Sequence, residues 1–352
     1  MPTEKEIIEA LRTVMDPELH RNLVELGMIH DVKSAKNGLV SFTIALTAPG
    51  CPLKNQINAN ATQAVAALPG VKDVHIEFRG MTEEERRAVM TLIGQPSLPK
   101  VNEFNKIKQV IAVMSGKGGV GKSSVTAALA VALKRAGQSV GILDADITGP
   151  SIPRLFKLPS GGLRSSEQGM LPAVTSTGIR VVSANLLLAQ EDTPVIWRGP
   201  MISSTIKQFW SDVLWGKLDT LLVDLPPGTS DAAISVVQNL PLNGVVLVTT
   251  PQELAGMVVR KAFHMLRELK IPILGVVENM SYFPCPDTGK EHYVFGPSHV
   301  EEIALAAGVP VWAKLPLDPQ IAVLGDAGRI EEVAFAEMQP LAAQLMDMVK
   351  AQ

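Results

Sequence analysis

The residues best suited to chemistry lie in one short stretch, Gly116-Lys117-Gly118-Gly119-Val120-Gly121-Lys122-Ser123. The stretch fits G-x-x-x-x-G-K-[ST]. Its glycines let backbone N–H groups curl around phosphate oxygens, Lys122 would reach the β- and γ-phosphates, and the Ser123 hydroxyl would ligate magnesium. Ser124 joins the same nucleotide-binding set. The competing reading is an ordinary glycine-rich turn. The surroundings argue against it: an apolar run, 110–114, enters the loop, and an alanine-rich helical pattern from about 122 to 136 leaves it. The helix N-terminus adds a partial positive charge where phosphates would sit.

A phosphate-binding loop needs carboxylates to hold the metal and order water. Two apolar strand patterns end in aspartate, at the position where ligands of parallel sheets collect. The first is Leu221-Leu222-Val223-Asp224, which puts Asp224 beside the magnesium; Gly228 follows and could offer a backbone N–H to the γ-phosphate. The second is Ile142-Leu143-Asp144-Ala145-Asp146, in which Asp146 is the candidate for orienting the attacking water. A single aspartate at a strand end is equally well explained as a helix cap. Three aspartates on two such ends, beside a phosphate loop, favour the metal site.

The elements that must position these residues read as α/β. Short, nearly continuous apolar runs recur at 110–114, 140–143, 181–184, 221–223, 245–248, 273–277 and 309–312, with helical patterns between most of them. Unbroken apolar strands alternating with helices predict a mostly parallel sheet covered on both faces. Residues 1–92 read differently, as a small α+β domain. Ile7, Ile8, Leu11 and Val14 recur at helical spacing, strands are expected around 28–33 and 40–46 with Asn37-Gly38 turning between them, a helix over 52–67, and a last strand through Val74, Ile76 and Phe78. Residues 93–106 carry Pro96, Ser97 and Pro99 and read as a linker, leaving 107–352 for the phosphate-loop domain.

Composition sets bounds. A net charge of -3 argues against a protein that coats nucleic acid, which needs a basic surface. No apolar run is long enough to span a bilayer, the N-terminus lacks a secretion signal, and the last stretch has only Lys350 as a basic residue, so no membrane anchor is expected. Cys51 and Cys285 are the two cysteines, too few for a disulfide framework, and the expected location is the reducing cytoplasm.

Taken together these residues resemble the Mrp/ApbC family of iron–sulfur cluster carrier ATPases, within the group that includes MinD, ParA and the nitrogenase iron protein. The resemblance covers nearly the whole chain. It implies a homodimer in which Lys117, the extra lysine of a deviant Walker A loop, reaches the other subunit's nucleotide like an arginine finger supplied in trans. It makes residues 144–151 and 224–231 two switches, and it makes Asn279, in Val277-Glu278-Asn279-Met280-Ser281, the reader of the adenine edge. The small domain, with Asp16-Pro17-Glu18 and Thr47-Ala48-Pro49-Gly50-Cys51-Pro52, resembles the iron–sulfur assembly domain often fused ahead of this ATPase. The implied function is a slow, magnesium-dependent ATPase that binds clusters and passes them to apo-proteins, in company with assembly factors. The alternative is a MinD/ParA-like positioning ATPase without a cluster function.

One motif departs from the family. Its C-x-x-C becomes Cys285-Pro286-Asp287-Thr288, and threonine supplies no thiolate. A [4Fe–4S] cluster ordinarily takes four thiolates. A dimer supplies two from Cys285, so the bridging cluster that the resemblance implies needs Cys51, an external thiol or another ligand besides.

Overall fold

The computed structural model describes residues 2–16, 21–35, 37–46, 54–82, 84–85, 88–89, 102–147, 149–187 and 199–350; for 199–200, 253–258 and 350 it describes the backbone alone. The chain divides into two compact units, Met1–Ser97 and Leu98–Gln352. Residues 93–101 of the expected linker lie outside the described residues.

In the first unit, helix α1 (Glu4–Leu11) starts at a capping box in which Thr3 and Glu6 satisfy each other's backbone N–H groups. Strands β1 (Ile29–Ser34) and β2 (Leu39–Leu46) pair antiparallel around Asn37-Gly38, with Gly38 at φ 90°. Helix α2 (Lys54–Ala66) then buries Ile57, Ala61 and Val65, one face at four-residue spacing, and β3 (Asp73–Gly80) returns parallel to β2. The expected helix through Val14 is shorter than its pattern. It ends at Leu11, and Val14 reaches the same core from the following turn, which is why the apolar spacing continues past the last helical residue.

The second unit is built on strands β4 (Lys106–Ser115), β5 (Val140–Asp144), β9 (Arg180–Ser183), β10 (Lys217–Asp224), β11 (Gly244–Thr249), β12 (Ile273–Pro284) and β14 (Val311–Pro316). They lie parallel in the order β14-β12-β11-β4-β10-β5-β9. Consecutive residues of one strand feed opposite faces: Val110, Ala112 and Met114 enter one core cluster and Ile111 and Val113 the other. The first face is covered by α5 (Gly199–Ser211), α6 (Asp231–Asn239), α7 (Glu253–Glu268) and α8 (Val300–Ala307). The second is covered by α3 (Lys122–Arg135), the short α4 (Ile152–Leu155) and α10 (Gln339–Lys350), with α9 (Pro319–Asp326) alongside. Helix α3 is buried from Val125 to Leu133, because its small alanines let it lie close against the sheet.

Two strand limits differ from the apolar pattern. The run at 309–312 becomes a strand only from Val311, since Gly308 ends α8 in the left-handed region and the Val309 N–H is spent on the Ala304 carbonyl. The run at 181–184 stops at Ser183, where a 3-10 turn, Ala184–Leu187, begins. Short antiparallel pieces are added: the hairpin of β6 (Arg164–Ser166) and β7 (Gly169–Leu171), β8 (Ala173–Val174) on β9, and β13 (Glu291–His292) on the end of β12. Two- and three-residue strands are too short to show any alternation in sequence.

Candidate functional site

Strand β4 delivers the chain into the glycine-rich loop at the carboxyl end of the sheet. Gly119 and Gly121 take φ 80° and 77°, a region that side chains disfavour. At Gly121 space excludes a side chain as well, because a Cβ there would come within 2.3 Å of Asn279 Nδ2. Gly121 is also the N-cap of α3 and has no side chain to cap it, so first-turn N–H groups remain for an anion. Lys122 and Ser123 open that turn.

Three donors from α3 converge on one carboxylate. Asp224, fully buried at the end of β10, accepts from Lys122 Nζ and Ser123 Oγ on Oδ2, both at 2.6 Å, and from Thr126 Oγ1 on Oδ1 at 2.6 Å. Asp144 is its neighbour in register on β5 and is equally buried. Asp144 accepts from Ser183 Oγ at 3.1 Å and from the Ile152 N–H at 3.3 Å. Burial, and then the Asp224 charge, push its carboxyl up to about 8 against the pull of Lys122. The oxygen donors of Ser123 and Asp224 are the kind a hard cation takes. Among the described residues no group of three or more His, Cys, Asp or Glu could hold a metal ion.

The other expected residues distribute as follows. Asp146 sits just past β5, where its Oδ1 accepts the Gly149 N–H at 3.3 Å, a turn-capping contact. Gly228 takes φ 80°, and its N–H donates to the Ser115 carbonyl at 2.9 Å rather than standing open for phosphate. Lys117 Nζ donates to Gln252 Oε1 of its own chain at 2.5 Å. Asn279 is buried on β12 and its Nδ2 donates to the Val120 carbonyl at 2.9 Å. That contact fixes the amide's orientation, since the reverse would set two oxygens against each other; Oδ1 is left as the acceptor, which suits an exocyclic amino group. Beside Asn279, Gly121 and Ser124 opens a cavity of about 400 Å³, walled further by Leu317, Ile321 and residues 333–338.

Cys285 follows the last residue of β12 and starts the turn to β13. The turn closes through the Cys285 N–H on the Lys290 carbonyl at 2.9 Å and the Gly289 N–H on the Cys285 carbonyl at 2.8 Å. The Thr288 hydroxyl, then the Asp287 and Thr288 N–H groups, donate toward the sulfur and hold the thiol below its ordinary range. The residue standing where a second cysteine was expected thus serves the first one. Cys51, with residues 47–53, lies outside the described residues, as do Pro17 and Glu18; Asp16 is buried.

The structure therefore brings together Gly121, Lys122, Ser123, Ser124, Asp224 and Asn279, and it sets Cys285 apart at the end of β12. Sequence reasoning missed Thr126, Gln252 and the cavity wall at 333–338. Thr126 carried a signal: it lies one helical turn past Lys122 and so on the same face. The other two come from distant parts of the chain and carried none.

Known proteins are similar over the same regions. Residues 106–351 match the family described as NUBPL iron-transfer P-loop NTPase, and residues 4–78 match the one described as iron–sulfur cluster assembly protein. An iron–sulfur cluster carrier protein of Deinococcus radiodurans is 42% identical over 344 residues, 97% of this chain and 92% of the relative. One of Synechocystis is 42% identical over 332 residues, 93% of this chain and 91% of the relative. Among solved structures, a nucleotide-binding protein of Archaeoglobus fulgidus in complex with ADP is 46% identical, with a TM-score of 0.58, covering 64% of this chain and 88% of that one. The cell division ATPase MinD of Pyrococcus furiosus, at 21% identity and a TM-score of 0.51 over 68% of this chain and 99% of its own, shares the fold.

Proposed function

The chain belongs to the NUBPL iron-transfer P-loop NTPase family, and on that premise we propose that it is an ATP-hydrolysing carrier that binds iron–sulfur clusters and hands them to apo-proteins. One observation carries the reading. Strand β12 holds Asn279 against the phosphate loop and, after an irregularity at Met280 (φ 56°), runs directly into the Cys285 turn, so nucleotide site and thiol lie on one strand. The five residues between them make six steps, which at full strand rise span at most about 20 Å.

Lys122 grips the phosphates, exchanging the Asp224 carboxylate for the nucleotide. Ser123 and Asp224 hold magnesium, which neutralises phosphate charge when bound. Asn279 Oδ1 accepts from the adenine amino group. Two copies close face to face, and Lys117 leaves Gln252 to reach the partner's nucleotide, adding positive charge to the transferring phosphoryl. Asp146 orients the water whose oxygen attacks the γ-phosphorus as the bond to the β-phosphate oxygen breaks. Turnover is slow, because the site is complete only in the dimer. Gly228 and the loops at 144–151 and 224–231 relax after hydrolysis and shift the Cys285 turns.

The cluster is cargo. Two Cys285 thiolates, one per copy, supply half the ligands of a bridging [4Fe–4S] cluster, and Cys51 or an external thiol supplies the rest. A half-held cluster is readily released, which suits a carrier. The division into a 1–92 assembly-type domain, a 93–106 linker and a 107–352 ATPase domain gives each cysteine its own module. The setting is the cytoplasm. Among the described residues no helix is long and apolar enough to cross a membrane.

The test is anaerobic reconstitution with iron and sulfide, followed by transfer to an apo acceptor with and without ATP. Bound iron and transfer should fall in Cys285→Ser and vanish in the Cys51→Ser/Cys285→Ser double variant. A double variant as active as the wild type would sink the proposal. ATP-dependent binding to liposomes or DNA without cluster transfer would favour a positioning ATPase instead.

A further inference from the structure

The segment 330–338 closes one side of the cavity beside the phosphate loop, and its conformation is unusual. Phe335 is 6% exposed, borders the cavity, and takes φ 49° and ψ 46°, left-handed backbone that a bulky side chain adopts only when its surroundings impose it. Two side chains outside the cavity impose it. Arg135, in the last turn of α3, donates from Nη1 to the carbonyls of Val333 and Ala334 at 2.6 and 2.8 Å, and from Nη2 to that of Glu331 at 2.6 Å. The Glu331 carboxylate in turn accepts from Thr175 Oγ1 at 2.6 Å, from the Thr177 N–H at 3.3 Å, and from the hydroxyls of Ser176 and Thr177. One segment is thus strapped to a helix end and to the turn between β8 and β9. Charge-assisted bonds of this kind are the stronger ones, and this one guanidinium makes three.

The strap and the phosphate site share a rod. Helix α3 begins with Lys122 and Ser123 and ends with Arg135, a length of 14 residues, about 21 Å at helical rise. The end that holds phosphate and the end that holds the cavity wall therefore keep a fixed separation.

We propose that Arg135 and Glu331 are positioning residues for the nucleotide base: they hold 333–338 in the shape that receives it, without touching the nucleotide. The proposal rests on the cavity being the base site. It predicts a base-dependent defect. A wall that is correctly shaped only one-tenth of the time weakens binding about tenfold, since apparent affinity scales with the competent fraction. A ligand with no base is unaffected.

The experiment compares binding of ADP and of magnesium tripolyphosphate to the full chain, as wild type, Arg135→Ala and the gentler Glu331→Gln. Both variants should bind ADP about tenfold more weakly and tripolyphosphate as the wild type does, with KM for ATP raised and kcat unchanged. Unchanged ADP affinity, or equal losses for both ligands, would overturn the proposal. Hydrogen exchange on the wild type needs no variant to fold: amides 333–338 should gain protection with ADP and not with tripolyphosphate, and equal response to both contradicts the idea. Failure of the base-site reading looks different, because Asn279→Ala, which also loses the bond to the Val120 carbonyl of the loop, would then weaken ADP and tripolyphosphate alike.

Discussion

Lys122 Nζ lies 2.6 Å from Asp224 Oδ2, so the cation expected to grip phosphate is held by the anion expected beside the metal. Both groups are almost wholly out of solvent, at 6% and 0% exposure. A buried pair is costly to break from one side, because the remaining charge loses its partner. On the proposed reading nucleotide would bring the charge with it: its phosphates would replace Asp224 for Lys122, and a cation would replace Lys122 for Asp224.

Lys122→Ala leaves Asp224 with two hydroxyl donors and no cation. The variant should lose ATP turnover and about 3 kcal/mol of stability, a fall in Tm of roughly 6–12 °C for a unit of this size. Calorimetry of the nucleotide-free protein reads it. An unchanged Tm with turnover retained would contradict the pairing.

Gly121→Ala puts a Cβ within 2.3 Å of Asn279 Nδ2 and an alanine at φ 77°. The loop and the Asn279 amide must both move. The expected result is a loss of ADP affinity of about tenfold or more, the size of one misplaced polar contact, while circular dichroism is preserved. Titration calorimetry with ADP decides it.

Asp144 makes a pH-dependent contribution to stability. Its carboxyl is raised from 3.8 to about 8 by burial and by the Asp224 charge. The folded state therefore holds a proton that the unfolded chain has released, and this group's contribution is complete below about pH 3.8 and is lost as pH rises through about 8. Asp144→Asn removes the titration. Measured by denaturant in the absence of magnesium, the variant should gain on the wild type steadily between pH 5 and pH 8. A constant difference would contradict it.

Lys117 is held by Gln252 within its own chain. An exposed contact of that kind is weak, so it would yield to the partner's nucleotide in the proposed dimer. Lys117→Ala should bind ADP within about twofold of the wild type and hydrolyse ATP on the order of 10³-fold more slowly. Normal turnover, measured at a protein concentration that gives dimer, would rule out action across the interface.

How far the sequence could be read depended on how local each feature is. The phosphate loop is contiguous, and Asp224 and Asp144 end apolar runs, so Lys122, Ser123 and both aspartates were visible from pattern alone. Their mutual register was not, because it follows from β10 lying between β4 and β5, a strand order that no spacing encodes. The Gly228 N–H was expected to face phosphate, yet it closes onto Ser115, a contact set by how two strand ends approach. Arg135 and Glu331 belong to no motif; only the packing of 330–338 across α3 gives them work. Thr288 read as a missing ligand, and it instead helps to hold the Cys285 thiol below its ordinary range.

Whether a cluster is carried on Cys285 can be read from iron-57 Mössbauer and absorption spectra of the anaerobically reconstituted protein, with and without Cys285. The wild type should show a [4Fe–4S] signal, at about one cluster per dimer, that is diminished in Cys285→Ser. An identical cluster signal in both proteins would contradict it.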